Sequence, residues 1–184
     1  MTAKFRRWGL AVAIGLWICC AGGQVAMAHP LTTLASIHTY HERPAQTTYR
    51  SRLTLPDRDD RAWQATLFHR YVGGEDQGIL LRLVAFPGSA RVAPSGHLRV
   101  STGTGLEWQV PANDATLPAN RPDNIGQYAF DQVLADLQAP IPLTLDVPLA
   151  SGRTQQLVVA PYVVVEWQVL AAMAAPTHSY SPDG

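Results

Sequence analysis

Hydrophobic and polar residues alternate with a period of two along most of this chain, which predicts strands more than helices. Tyr49, Ser51, Leu53 and Leu55 alternate with Arg50, Arg52 and Thr54. After the turn Pro56-Asp57-Arg58-Asp59-Asp60, a second run sets Trp63, Ala65, Leu67 and Tyr71 against Gln64, Thr66 and Arg70. Pairing Leu55 with Arg61 across a five-residue loop places Leu53 opposite Trp63 and Tyr49 opposite Leu67. The apolar faces then coincide, and a slip of one residue would turn one of them over. Ile79 to Phe86 is almost wholly apolar and is ended by Pro87-Gly88, as a central strand should be.

Further along, Leu98-Arg99-Val100 and Leu106 to Val110 flank Ser101-Thr102-Gly103-Thr104-Gly105 and read as another hairpin. Residues 111–124, rich in Pro, Asn and Asp, read as a long surface loop. A short helix is expected over Asp131–Gln138, with Phe130, Val133, Leu134 and Leu137 on one face and Pro140 as its stop. Ile141, Leu143, Leu145, Val147 and Leu149 then alternate with polar residues and with Pro142 and Pro148, which predicts an edge strand. A turn at Ser151-Gly152-Arg153 returns the chain into Leu157-Val158-Val159, with Val147 opposite Leu157. Tyr162 to Leu170 is two-sided. Pro161 and the spacing of Val163, Trp167 and Leu170 allow a helix, but three consecutive valines favour a strand, which is the expectation. The pattern as a whole predicts a mainly β, single-domain antiparallel sandwich or barrel with one or two short helices over residues 29–170, and a disordered tail over 171–184.

The N-terminus reads differently, as an export address. Lys4, Arg6 and Arg7 precede an uncharged apolar segment, and Ala26-Met27-Ala28 has the small-x-small pattern of a signal-peptidase site. Cleavage after Ala28 makes residues 1–28 a signal peptide and leaves 156 residues beginning at His29. Trp8 to Ala28 is also long enough for an uncleaved anchor, but Gly22, Gly23 and Gln24 interrupt it where a cleavage region is polar and extended. Arg6-Arg7 followed by Trp8-Gly9 is a poor twin-arginine signal, and Trp17 and Ile18 are too bulky to precede a lipid-modified Cys19. Both cysteines, Cys19 and Cys20, leave with the leader, which takes away disulfides and thiolate metal sites. Without Lys4, Arg6 and Arg7, eleven arginines face 14 Asp and Glu, a net charge of −3 with no lysine. That balance argues against nucleic acid and against a polybasic membrane patch.

The strings RSRLTLPDRDDRAWQATLFHR, LLRLVAFPG, NIGQYAFDQVL and PYVVVEWQ resemble the cyanobacterial family known as domain of unknown function 3122, over about His41 to Gln168. The resemblance implies an exported cyanobacterial protein of the periplasm or thylakoid lumen. It rests on strand and turn strings and supplies no activity and no catalytic residues.

Candidate chemistry is sparse. There is no Gly-x-Ser-x-Gly elbow and no His-Glu-x-x-His, and a carboxylate pair for glycoside hydrolysis is defined in space, not in sequence. The expectation is a domain that is not an enzyme and carries no cofactor. A second reading is copper held by an N-terminal His29 with His38 or His41, which align if residues 31–41 form a helix. His69 falls on an inward stripe and is expected to bond to backbone, and Asp57, Asp59 and Asp60 to form a solvated hairpin tip. Trp63, Trp108 and Trp167 are expected in the core, with a pocket lined by them as the alternative. The outer face of the first hairpin, with Arg50, Arg52 and Arg70 beside an exposed Phe68, has the composition of a docking surface. The leading expectation is an accessory domain that docks to a protein partner, such as a membrane complex, outside the cytoplasm.

Overall fold

The computed structural model describes residues 37–43 and 45–175. The segment expected to be a signal peptide, with Ala26, Ala28 and His29, lies outside them, as do residues 176–184. No helix among the described residues is long and apolar enough to cross a membrane.

Alternation becomes two antiparallel sheets, neither of which closes into a barrel. The larger has the order β1 (His38–Arg43), β2 (Gln46–Pro56), β3 (Ala62–Val72), β4 (Glu75–Ala85) and β7 (Ile125–Ala129). The smaller runs β6 (Glu107–Val110), β5 (Leu98–Thr102), β8 (Leu143–Pro148) and β9 (Thr154–Val159). Odd-numbered positions of β2, β3 and β4 (Leu55, Trp63, Ala65, Leu67, Leu81, Leu83) share one buried cluster with Leu98, Val100, Leu143, Leu145, Leu157 and Val159 of the smaller sheet. Helices α1 (Asp131–Asp136) and α2 (Pro161–Ala171) add Val133, Leu134, Val163, Val164, Trp167 and Leu170 to it. The β-sandwich is thus the expected one. β4 is central, between β3 and β7, and α1 starts where the periodicity placed it.

Three features correct the sequence reading. The first is register. The loop between β2 and β3 spans residues 57–61, one position later than expected, so Leu55 faces Trp63, Leu53 faces Ala65 and Tyr49 faces His69. Asp57 causes this: its Oδ1 accepts from the Asp59 and Arg61 amides at 2.8 and 2.9 Å, while its own amide donates to the Arg61 carbonyl. Moving a loop by one residue moves the pairing by two, so the faces survive. In the β8–β9 hairpin, likewise, Val147 faces Gln155 and Leu145 faces Leu157. Gly152, at φ 78°, closes a wider turn there, in which the Leu149 amide donates to the Arg153 carbonyl.

The second is that β8 is not an edge. It lies between β5 and β9, because Pro142 precedes the strand and Pro148 is its last residue, so no proline takes a central ladder position.

The third is that residues 161–171 are a helix, not a strand. Pro161 occupies its first turn, which suits a residue without an amide proton. Tyr162, Val165 and Val169 stay exposed opposite the buried Val163, Val164, Trp167 and Leu170. With both faces apolar, the helical spacing of Val163, Trp167 and Leu170 did not stand out against the strand preference of the three valines. The Met173 and Ala174 carbonyls beyond it accept from the Tyr71 and Tyr49 hydroxyls at 2.8 and 3.1 Å.

Candidate functional site: an arginine face on the larger sheet

Even-numbered positions of β2, β3 and β4 point away from the core. The pairing aligns Arg50 with Phe68, Leu80 and Ala129; Arg52 with Thr66, Arg82 and Gln127; and Thr54 with Gln64, Val84 and Ile125. Arg70 stands beside Thr48 one level further along. These rungs carry four arginines and no carboxylate.

The sequence reading named Arg50, Arg52 and Arg70, and the structure brings them together on one face with Arg52 exposed and the other two half-buried. Phe68 corrects it. The ring is only 4% exposed, although it lies outside the core cluster. Its cover includes the neighbouring cations: the guanidinium carbons of Arg70 and Arg82 sit 5.5 and 5.2 Å from the ring centroid. Phe68 is therefore a floor on which guanidinium groups rest, not an exposed anchor. Arg50 is placed in the same way, 3.8 Å from the centroid of Tyr40 on β1.

Arg82 was missed, because it interrupts an apolar run read as wholly central. Its parity was the available signal: it alternates with Leu81 and Leu83, so the single charge of that run had to point outward. Gln127 holds it, with Oε1 accepting from Arg82 Nε at 3.0 Å and Nη2 at 2.8 Å. Gln127 is fully buried, and its amide donates to the Asn113 carbonyl at 2.9 Å and to Thr116 Oγ1 at 2.8 Å. The 111–124 loop thereby fixes one cation of the face.

The remaining candidates resolve otherwise. β1 is a strand over its described length, so His38 lies beside Tyr40 on the outer face, whereas His41 contacts Thr47, which pairs with core-side Tyr71. The helical alignment needed for a copper pair is gone. Among the described residues no three His, Cys, Asp or Glu side chains gather to hold a metal ion.

His69 is buried as expected, but its partner is the Asp76 carboxylate at 2.9 Å and not backbone. The acidic turn is not all solvated. Asp57 has a side chain 1% exposed, and its Oδ2 accepts from Arg61 Nε at 3.1 Å and from the Trp63 indole at 3.2 Å. Burial alone would raise its pKa; the four donors outweigh that and hold the carboxyl below its ordinary range. Trp63 and Trp167 are core residues, while Trp108 is half-buried and donates to Asp136 at 2.8 Å.

A cleft of about 530 Å³ is lined by Ser89, Arg91, Asp123, Leu149, Ser151 and Arg153. There Asp123 pairs with Arg91 at 3.1 Å and offsets part of its positive charge. The larger sheet's outer rungs bring four arginines onto one face, and they are the stronger site.

Searches among curated proteins and among solved structures find no match. A family does match, over residues 35–170, a span that takes in both sheets, α1 and all but the last residue of α2: the chain belongs to the family described as Protein of unknown function (DUF3122).

Proposed function

We propose that this protein is an exported, non-catalytic accessory domain that docks to a protein partner on the periplasmic or thylakoid-lumen side of a membrane. The observation that carries the reading is the outer face of the larger sheet. Arg50, Arg52, Arg70 and Arg82 on neighbouring strands gather four positive charges on one face of a chain whose exported part is net negative. A face of this charge favours an electronegative partner. The leader sequence supports the exported setting, and so does the resemblance to exported cyanobacterial proteins.

Affinity purification from membranes tests it. The wild-type chain should bring down a stoichiometric partner, and Arg50→Glu with Arg52→Glu should lose that partner while melting at the same temperature. Recovery of a lone monomer, or capture indifferent to both substitutions, would refute docking at this face. Intact mass of the exported chain should correspond to a first residue of His29. The copper reading now rests on that residue without a preformed His38–His41 pair. It requires Cu(II) binding that disappears when a residue is added ahead of His29.

A further inference from the structure

Resting on the docking reading, we propose that the face reads an extended polypeptide segment through two side chains two residues apart, an apolar one seated in a pocket beside Phe86 and an acidic one paired with Arg52. The pocket lies at the end of the outer face, one rung beyond Arg52, and its lining includes Thr54, Gln64, Val84, Phe86 and Pro87. Its volume is about 240 Å³. Small-molecule sites hold about 300–1,000 Å³, so this one has the size for a single side chain. Phe86 is 66% exposed, yet its backbone is fixed on both sides. The Ala85 amide donates to the Asn124 carbonyl at 3.0 Å, and the Asn124 side-chain amide donates to the Ala85 carbonyl at 2.6 Å. The Phe86 carbonyl accepts from the Ser89 amide and hydroxyl at 2.9 and 2.7 Å. A pocket wall already held in place loses less freedom when a ligand arrives.

Arg52 supplies the charge. Arg82 on the same rung is engaged by Gln127 and the Phe68 ring, whereas Arg52 is exposed and makes no hydrogen bond, ion pair or ring contact among the described residues. Its planar guanidinium matches the two oxygens of a carboxylate. Thr54, in the pocket lining, follows Arg52 by two residues on the same side of β2, so the two subsites are about 6.5–7 Å apart along the strands. Side chains at i and i+2 of an extended segment have that same spacing, whereas a helix brings i and i+4 together. Half-buried Val84 and Ile125 extend the apolar end of the face, and with Phe86 they would also suit a bilayer. Thr54 and Gln64 decide between the two. Their hydroxyl and amide find partners in a polypeptide main chain but none among acyl chains, where unpaired polar groups are costly.

NMR titration of the protein with synthetic peptides tests the proposal, because chemical shifts read weak binding and locate it. The peptide acetyl-Thr-Leu-Thr-Glu-Thr-amide should shift the backbone amides of Thr54, Gln64 and Phe86, and should bind more weakly as salt rises. Moving its glutamate next to the leucine, or replacing the leucine by alanine, should weaken binding severalfold. Phe86→Ser should weaken it by roughly tenfold with the salt dependence kept and, since the ring is exposed, with Tm unchanged. Arg52→Gln should weaken it severalfold and flatten the salt dependence. Vesicles of phosphatidylglycerol with phosphatidylcholine should not sediment the protein. Equal binding of the three peptides or binding of none would overturn the proposal, as would wild-type affinity in Phe86→Ser or Arg52→Gln, or sedimentation with the vesicles. Should any of these occur while partner capture still depends on Arg50 and Arg52, this inference falls and the docking reading stands.

Discussion

Asp57 is the residue whose removal should most sharply test the account of the first hairpin. It looks like one of three solvated acids, yet its side chain is 1% exposed and accepts four hydrogen bonds. In Asp57→Ala the Asp59 and Arg61 amides and the 41%-exposed Arg61 side chain can turn to water. The Trp63 indole cannot, because Trp63 is 1% exposed. A stranded buried donor costs about 1–3 kcal/mol, and loss of the turn's own bonds adds about 1 kcal/mol, giving roughly 2–4 kcal/mol. For a domain of this size that lowers Tm by about 5–15 °C. Asp57→Asn keeps one accepting oxygen for the two turn amides and should cost less.

The effect has a signature in pH. The folded pKa lies below the unfolded value, so Asp57 stabilises fully above about pH 4, and its contribution is lost as pH falls through the depressed folded value. Thermal melts of wild type and Asp57→Ala should therefore differ at pH 7 and converge in strong acid. A Tm at pH 7 within about 2 °C of wild type would mean that the carboxylate does not organise this turn.

Glu166 should behave in the opposite sense. It is 6% exposed on α2, and burial raises its pKa against a lowering by the nearby Ser51 hydroxyl. Neither Ser51 Oγ nor Glu166 Oε1 completes a hydrogen bond among the described residues. A raised acid costs stability as pH climbs above its unfolded value, so Glu166→Gln should melt higher than wild type at pH 7 and gain nothing below about pH 4. A loss of Tm at pH 7 would refute this. Trp63→Ala removes a core indole and should cost ~3–5 kcal/mol, read as a fall in Tm beyond that of Asp57→Ala. An unchanged melt would put that ring outside the core.

Alternation along the chain, by itself, determined which side of each strand is buried. A period of two assigns Leu55, Trp63, Ala65 and Leu67 to one face and Arg50, Arg52 and Arg70 to the other whatever the neighbours are. For the same reason the register errors were even-numbered and harmless to the faces. Local chemistry likewise sufficed for α1 and for the hairpin at 101–105. Tertiary structure decided the rest, wherever a residue's environment comes from distant chain. Asp57 is buried because the turn that carries it bridges to Leu157 on β9. β8 is central because β5 and β9 flank it, an arrangement no count of prolines reveals. Residues 161–171 are helical because two layers receive one apolar stripe, overriding the strand preference of three valines. At the site, parity announced three arginines. Only strand pairing added Arg82 from β4 and Gln127 from β7, and only side-chain packing laid guanidinium groups over Phe68, since a floor and its cover come from different strands.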